Sequence, residues 1–596
     1  MTEDFGRSLK TWLMRGIVLG SLVFLTRMSG QELRLEIEPE WLGKPLALEE
    51  TLSSERVAGL SLSRVDGLLS RLALQRADGS WLESDRWYAY FSEASRLLTA
   101  RADGLPSQEF RALRFQVGLD EETDTRDPQI WPADHPLHPS VCHLHWGWQS
   151  RYVFLALEGH SWTAEGKITG FSYHLAGSKK PMIVELPVKF SGGQPTTIDL
   201  GLDVGKILSA GDVVRESLST HSRDGDSFAD NLKDRVTRSF RIKRVRTDVY
   251  QLADSVRPQA GSLPAGTTPV RIDISERLPK VKPPEDNPLT AEGVELGRRL
   301  FNEPRLSRND AQSCASCHDP AKAFTDGRSS SLGTSGQRGR RNAMPLANLA
   351  WASAFFWDGR AKSLREQVLL PIQDAHEMNE TLDRVVVKLR DDREYPAQFK
   401  AAFGAAEISP DRMALALEQF LLTLVTQESK FDRAARKLDQ LTPQEQRGLQ
   451  LFVTEYDPAR GLRGADCFHC HGGNLFSNGQ FMNNGLEERD GDLGRMEATR
   501  LETDRGKFKV PTLRNVALTA PYMHDGRFGT LEEVVEHYNG RLHRSRTLDP
   551  NLAKHPEAGL GLSADDKAAL VAFLKTLTDE HFVSSNSPAN QIAKNR

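Results

Sequence analysis

Two five-residue strings carry most of the chemistry in this sequence: Cys314–Ala315–Ser316–Cys317–His318 and Cys467–Phe468–His469–Cys470–His471. In C-x-x-C-H the two thiols are spaced to add to the vinyl groups of one haem from a single helical turn. The adjoining imidazole then ligates the iron from the proximal side. A zinc site made from two C-x-x-C pairs would pool its four ligands. Here each pair carries its own histidine, and the pairs lie far apart along the chain. Two covalent haem c groups are therefore expected, one on Cys314, Cys317 and His318, the other on Cys467, Cys470 and His471. The fifth cysteine, Cys142, stands outside both motifs. Five cysteines in 596 residues are too few for a disulfide scaffold.

The elements that must position these strings divide the chain. Arg7, Lys10 and Arg15 precede an apolar run from Gly16 to Leu25 that is short for a membrane span and laid out like a signal peptide. Met28–Ser29–Gly30 is a poor cleavage site, so an uncleaved anchor stays open. Export to the periplasm is expected either way. A net charge of −4 with no long basic run argues against nucleic-acid binding. From 31 to 246 the chain reads as β-rich. Met182, Val184, Leu186, Val188 and Phe190 alternate with their neighbours, as do Ile198, Leu200, Leu202 and Val204, and Tyr152–Leu157 is a further strand candidate closed by Glu158–Gly159. Residues 247–288 are a linker rich in Pro and Gly. Helical periodicity follows. Leu289–Thr290 opens a helix that ends in Leu300–Phe301 before the first haem string. Leu441–Thr442–Pro443 opens one that ends in Leu451–Phe452 before the second. This weak repeat predicts two related haem domains, 289–435 and 436–582, followed by a tail, 583–596, after a segment 1–30 that is signal peptide or anchor. The fold class expected is an N-terminal all-β domain followed by two mainly α-helical cytochrome c-type domains.

Residues of about 268–582 resemble the bacterial di-haem cytochrome c peroxidase/MauG superfamily. The strings that carry the resemblance include Pro304–Arg305–Leu306–Ser307, Phe355–Phe356–Trp357–Asp358–Gly359–Arg360–Ala361, Glu377–Met378, Val510–Pro511–Thr512–Leu513–Arg514–Asn515–Val516, Ala520–Pro521–Tyr522–Met523–His524–Asp525–Gly526 and Leu531–Glu532–Glu533–Val534–Val535–Glu536–His537–Tyr538. The resemblance implies an oxidoreductase using hydrogen peroxide, with the first haem, at His318, as the peroxide-reactive one. Glu377 would move protons during O–O cleavage, with Gln367 and Pro371 shaping its pocket. Trp357 would lie between the haems and pass oxidising equivalents. Asn342 and the carbonyls of Lys509 and Pro511 would hold Ca2+. The second haem, at His471, would take Tyr538 as its far ligand, with Met523 as the rival. A phenolate favours the oxidised metal and a thioether the reduced one.

Residues of about 31–246 resemble the MbnP-like copper-binding family. The carrying string is His143–Leu144–His145–Trp146–Gly147–Trp148–Gln149–Ser150–Arg151–Tyr152, supported by Phe171–Ser172–Tyr173–His174–Leu175 and Ser219–Thr220–His221–Ser222. The resemblance implies that Trp146 is oxidised to kynurenine and that the domain binds Cu(I). Imidazole suits copper, which makes His143 and His145 candidate ligands, with His174 and His221 more distant ones. Taken singly, each of these histidines reads as an ordinary core or surface residue. Together the two resemblances describe an enzyme fused to its own substrate, the linker holding the target at high effective concentration. The alternative is a peroxide-detoxifying cytochrome c peroxidase fed by a small electron-donor cytochrome, with the β domain as a binding module for such a cytochrome or a copper protein. A homodimer stays open.

Overall fold

The computed structural model describes residues 32–52, 59–93, 98–132, 135–146, 151–208, 217–247, 263–278, 281, 283–458, 461–486, 491–540 and 542–586. The signal-like segment 1–30 lies outside them. Among the described residues no helix is long and apolar enough to cross a membrane.

The alternating segments form strands. Met182–Ser191 buries Met182, Val184, Val188 and Phe190 and exposes Ile183, Glu185 and Lys189. Thr196–Asp203 is buried throughout because it is central in its sheet. It lies between Leu33–Trp41, to which it is parallel, and Phe240–Thr247, to which it is antiparallel. That sheet has five strands; a second has eight, running Met182–Ser191, Glu109–Val117, Gly59–Arg76, Arg151–Trp162, Ile168–Ala176 and Ser219–Thr220 along its main path. The sheets share one apolar core, with Leu35, Leu200 and Leu202 from the first and Leu68, Phe115 and Leu157 from the second. The strand expected to close at Glu158–Gly159 continues to Trp162. Gly159 does not end it. A Cβ there would stand 2.0 Å from the Ser61 carbonyl oxygen, so the glycine allows a close approach inside the sheet.

The internal repeat is realised as matched helix crossings. Ala291–Phe301 is capped by Thr290 and packs on Pro410–Leu422; Pro443–Phe452 is capped by Thr442 and packs on Ala564–Lys575. At the first crossing a Cβ on Gly297 would lie 1.9 Å from the Ala416 oxygen and 2.8 Å from Phe420 Cβ. At the second, a Cβ on Gly448 would lie 2.0 Å from the Ala569 oxygen and 2.7 Å from Phe573 Cβ. Both domains therefore bring two helices to backbone contact at a glycine.

Several contacts hold the domains together. Fully buried Arg514 forms two hydrogen bonds to Asp432, at 2.7 and 2.9 Å. Arg341 reaches Asp358 at 2.7 Å in the first haem domain and Asp492 at 2.7 Å in the second. The described part of the Pro/Gly-rich stretch, 263–278, has no helix or strand but is fastened to both: Ser275 N donates to Gln427 and Asn474 to the Arg277 carbonyl. The β domain docks on the second haem domain through Ile168–Ala176 and Pro550–Ala553. Gly170 makes this possible, since a Cβ there would stand 2.1 Å from the Pro550 oxygen. His160 Nε2 donates to the Leu548 carbonyl at 2.6 Å.

Candidate di-haem site and an interdomain histidine cluster

Both C-x-x-C-H strings are folded to receive a haem. His318 donates Nδ1–H to the Phe324 carbonyl at 2.9 Å, and His471 donates to that of Phe476 at 3.1 Å. Phe324 (φ 63°) and Phe476 (φ 50°) are left-handed, which turns each carbonyl back toward its histidine. With Nδ1 engaged, Nε2 keeps the lone pair that a metal needs. Burial lowers both imidazoles, His471 to about 4, which favours the neutral form that a metal requires. Burial pushes the Cys314 and Cys467 thiols up to about 12. The donor set fits haem c in both domains, and the haems would supply the redox chemistry with peroxide.

Cys314, Cys317 and His318 line a cavity of about 1020 Å³ together with Glu377, Gln367, Pro371, Trp357, Asn342, Lys509 and Pro511. Gln367 and Pro371 lie on the helix Leu364–Gln373, one turn apart and on the same side. Pro371 has no N–H to return to the Gln367 carbonyl. Glu377 follows in the turn after this helix. Its carbonyl accepts from Thr334 N at 2.8 Å, an approach allowed by Gly333, where a Cβ would stand 2.0 Å from the His376 oxygen. Burial, then the neighbouring Asp374 charge, lifts the Glu377 carboxyl to about 7 against the pull of Arg360. A carboxyl that titrates near neutrality inside a haem pocket is suited to take and return a proton.

Trp357 is buried and donates Nε1–H to the Asn342 carbonyl at 2.9 Å; its own carbonyl accepts from Lys509 N at 2.8 Å. The Asn342 amide nitrogen donates to the Arg328 carbonyl at 2.7 Å, which orients its side-chain oxygen. Burial lowers the Lys509 ammonium to about 8. At the second haem string the Asn484 amide stands 3.4 Å from Tyr538 Oη and 3.5 Å from Met523 Sδ, so the two rival ligands share one pocket. Tyr538 is half-buried on the helix Leu531–Asn539, near the Cys467 and Cys470 thiols, and desolvation of its hydroxyl raises its phenol.

The same cavity continues to the β domain, where His143, His145 and His174 line it. Trp146 pairs with Arg151 in a short strand; its side chain, and all of residues 147–150, lie outside the described residues. Cys142 is a buried thiol pushed up to about 12 by burial. His143 and His145 are neutral, each lowered by burial to about 4. His174 and His221, distant in sequence, are brought together by parallel pairing: Thr220 faces Tyr173, so the next residue of each strand meets, and His174 Nδ1 lies 3.1 Å from His221 Nε2. Against them stands His469, from inside the second haem string, with ring centroids 5.4 Å from both. From sequence alone His469 is assigned no role. The signal was present, since a histidine between the two cysteines of C-x-x-C-H is a further ligand-type residue in a position that haem attachment leaves free.

Residues 291–440 match the di-haem cytochrome c peroxidase (CCP_MauG) family model, and residues 30–222 match that of MbnP. The cytochrome c551 peroxidase of Nitrosomonas europaea is 38% identical over 301 residues, covering 49% of this chain and 82% of that protein. The methylamine utilization protein MauG of Methylorubrum extorquens is 38% identical over 309 residues, 51% of this chain and 83% of that protein. The crystal structure of a MauG-like protein associated with microbial copper homeostasis aligns at 34% identity and a TM-score of 0.48, covering 53% of this chain and 98% of its own. The chain belongs to the di-haem cytochrome c peroxidase/MauG family of oxidoreductases. It carries an MbnP domain ahead of the di-haem region, in one polypeptide.

Proposed function

We propose that this protein acts in the periplasm, using hydrogen peroxide at the first haem site to oxidise Trp146 of its own β domain to kynurenine, and that the β domain then holds Cu(I) for copper handling. The observation that carries this reading is the single cavity shared by His318, Glu377 and Trp357 with His143 and His145. In it Glu377, titrating near 7, takes a proton from bound peroxide and returns it to the leaving oxygen. Gln367 and Pro371 shape the wall around it, and buried Trp357 stands between the haem domains as the relay for oxidising equivalents. Tyr538 would offer its phenol oxygen to the iron of the second haem, and Asn342 with the Lys509 and Pro511 carbonyls would hold Ca2+ beside Trp357. The balance closes with peroxide alone. Two equivalents deliver two oxygen atoms to the indole ring and leave as water, and hydrolysis of the resulting formyl group releases formate.

The test is mass spectrometry of the Trp146 peptide from full-length, haem-loaded protein with and without peroxide. The expected result is conversion to the kynurenine mass only with peroxide. An unmodified mass after treatment refutes the reading. The second reading, a peroxide-detoxifying enzyme fed by a small cytochrome, is favoured by Met523 Sδ lying in the pocket of Tyr538. It requires Met ligation and rapid turnover with a reduced cytochrome.

A further inference from the structure

Haem attachment and peroxide chemistry leave the histidine cluster between the domains unused. We propose that His174, His221 and His469 form a tri-imidazole site for a late transition-metal ion, Cu(I) or Zn(II), completed only when the β domain docks on the second haem domain. It does not depend on oxidation of Trp146.

The donor atoms of the three rings all lie within 4.8 Å of one another. Two nitrogens bound to one tetrahedral ion at ordinary Zn–N lengths stand about 3.3 Å apart, close to the 3.1 Å between His174 Nδ1 and His221 Nε2. The outer nitrogens face carboxylates. His174 Nε2 meets Glu158 at 2.8 Å, and His221 Nδ1 meets Glu455 at 2.6 Å. Each carboxylate is itself held by a cation, Glu158 by Arg64 at 3.0 Å and Glu455 by Lys554 at 2.9 Å. A carboxylate so held accepts, so His174 donates Nε2–H outward and turns its Nδ1 lone pair toward His221, whose own Nδ1 faces Glu455 at ion-pair distance without hydrogen-bond geometry. A metal ion between His174 Nδ1 and His221 Nε2 would take a lone pair from each, in place of the hydrogen bond that the two rings can share. The arrangement is the one in which a carboxylate orients a ligating histidine through its far nitrogen.

His469 supplies the third donor. Its side chain is 4% exposed, and its Nε2 has no hydrogen-bond partner; the Asp466 carboxylate stands 3.7 Å away. A buried imidazole nitrogen without a partner costs stability unless something binds it. Charge points the same way. Three buried carboxylates, Glu158, Glu455 and Asp466, stand at the cluster, held by the cations Arg64 and Lys554. His469 lies between the two haem-bearing cysteines and two residues before His471, so an ion on it must perturb the second haem.

The test uses full-length protein with both haems attached, titrated with Cu(I) or Zn(II) against a competing chelator. His469→Gln leaves Cys467, Cys470 and His471 in place, and mass spectrometry checks that both haems remain. In protein not exposed to peroxide, in which Trp146 is unoxidised, one equivalent of metal is expected for the wild type, with a metal-dependent change in the optical and EPR spectrum of the second haem. His469→Gln should weaken that equivalent by 100-fold or more, beyond the roughly 10–100-fold of an outer-sphere partner, and abolish the spectral response. His174→Gln and His221→Gln should do the same, and either suffices if the first variant fails to mature. Trp146→Phe should bind as the wild type does. Binding of neither metal by the wild type overturns the proposal. So does undiminished binding in the three histidine variants, which would mean that the rings merely share a proton, or a loss in Trp146→Phe, which would place the metal at Trp146.

Discussion

Replacing Glu377 by Gln separates a proton-transfer residue from one that merely packs. The substitution keeps the shape and removes the titrating group. The Glu377 carboxyl is lifted from the ordinary 4.5 to about 7, chiefly by burial and then by Asp374. The sign follows from linkage. A carboxyl with a raised folded-state pKa binds its proton more tightly in the folded state than in the unfolded one, so stability falls as pH rises from about 4.5 to about 7, and the cost is fully present above that. For this shift the cost is about 3 kcal/mol. Glu377→Gln should therefore be more stable than the wild type at pH 8, by up to about 3 kcal/mol, and indistinguishable from it near pH 4. Activity should move the opposite way. Loss of a positioned acid–base group costs about 10²–10⁴-fold. In the wild type the rate of reaction with peroxide should rise tenfold per pH unit below about 7 and level off above it, because the ionised form accepts the proton. Stopped-flow reaction with peroxide across pH 5–9, paired with denaturant unfolding at pH 4 and 8, measures both. A variant that keeps the wild-type rate and pH profile, or one that is slow but no more stable at pH 8, would refute the assignment.

Two further outcomes follow from the geometry. Tyr538→Phe should change the optical and EPR spectrum of the second haem, while Met523→Leu should leave it as it is; the reverse pattern would favour thioether ligation and the detoxifying reading. Arg514→Ala strands the buried Asp432 carboxylate and should cost about 3–5 kcal/mol in chemical denaturation, with Asp432→Asn added to the same chain recovering part of the loss.

Local pattern was enough for much of this molecule. The haem strings place two thiols and an imidazole within one turn, so spacing alone identifies them. Period-2 alternation located the strands Met182–Ser191 and Thr196–Asp203. Thr290 and Thr442 marked the helix starts, because a cap satisfies orphan N–H groups within its own turn. What the sequence by itself did not determine rests on contacts between segments remote along the chain. Gly159 looked like a strand end and is a close-packing point, because the Ser61 carbonyl that approaches it comes from another strand. His174 and His221 are neighbours only through the parallel register of Thr220 on Tyr173, and His469 joins them only because Gly170 lets the β domain settle on Pro550. The near-neutral Glu377 depends on burial and Asp374, which no spacing encodes. The difference is physical: turns, caps and alternation are properties of a few consecutive residues, whereas the sharing of lone pairs and charges in a buried interface depends on which distant backbones come into contact.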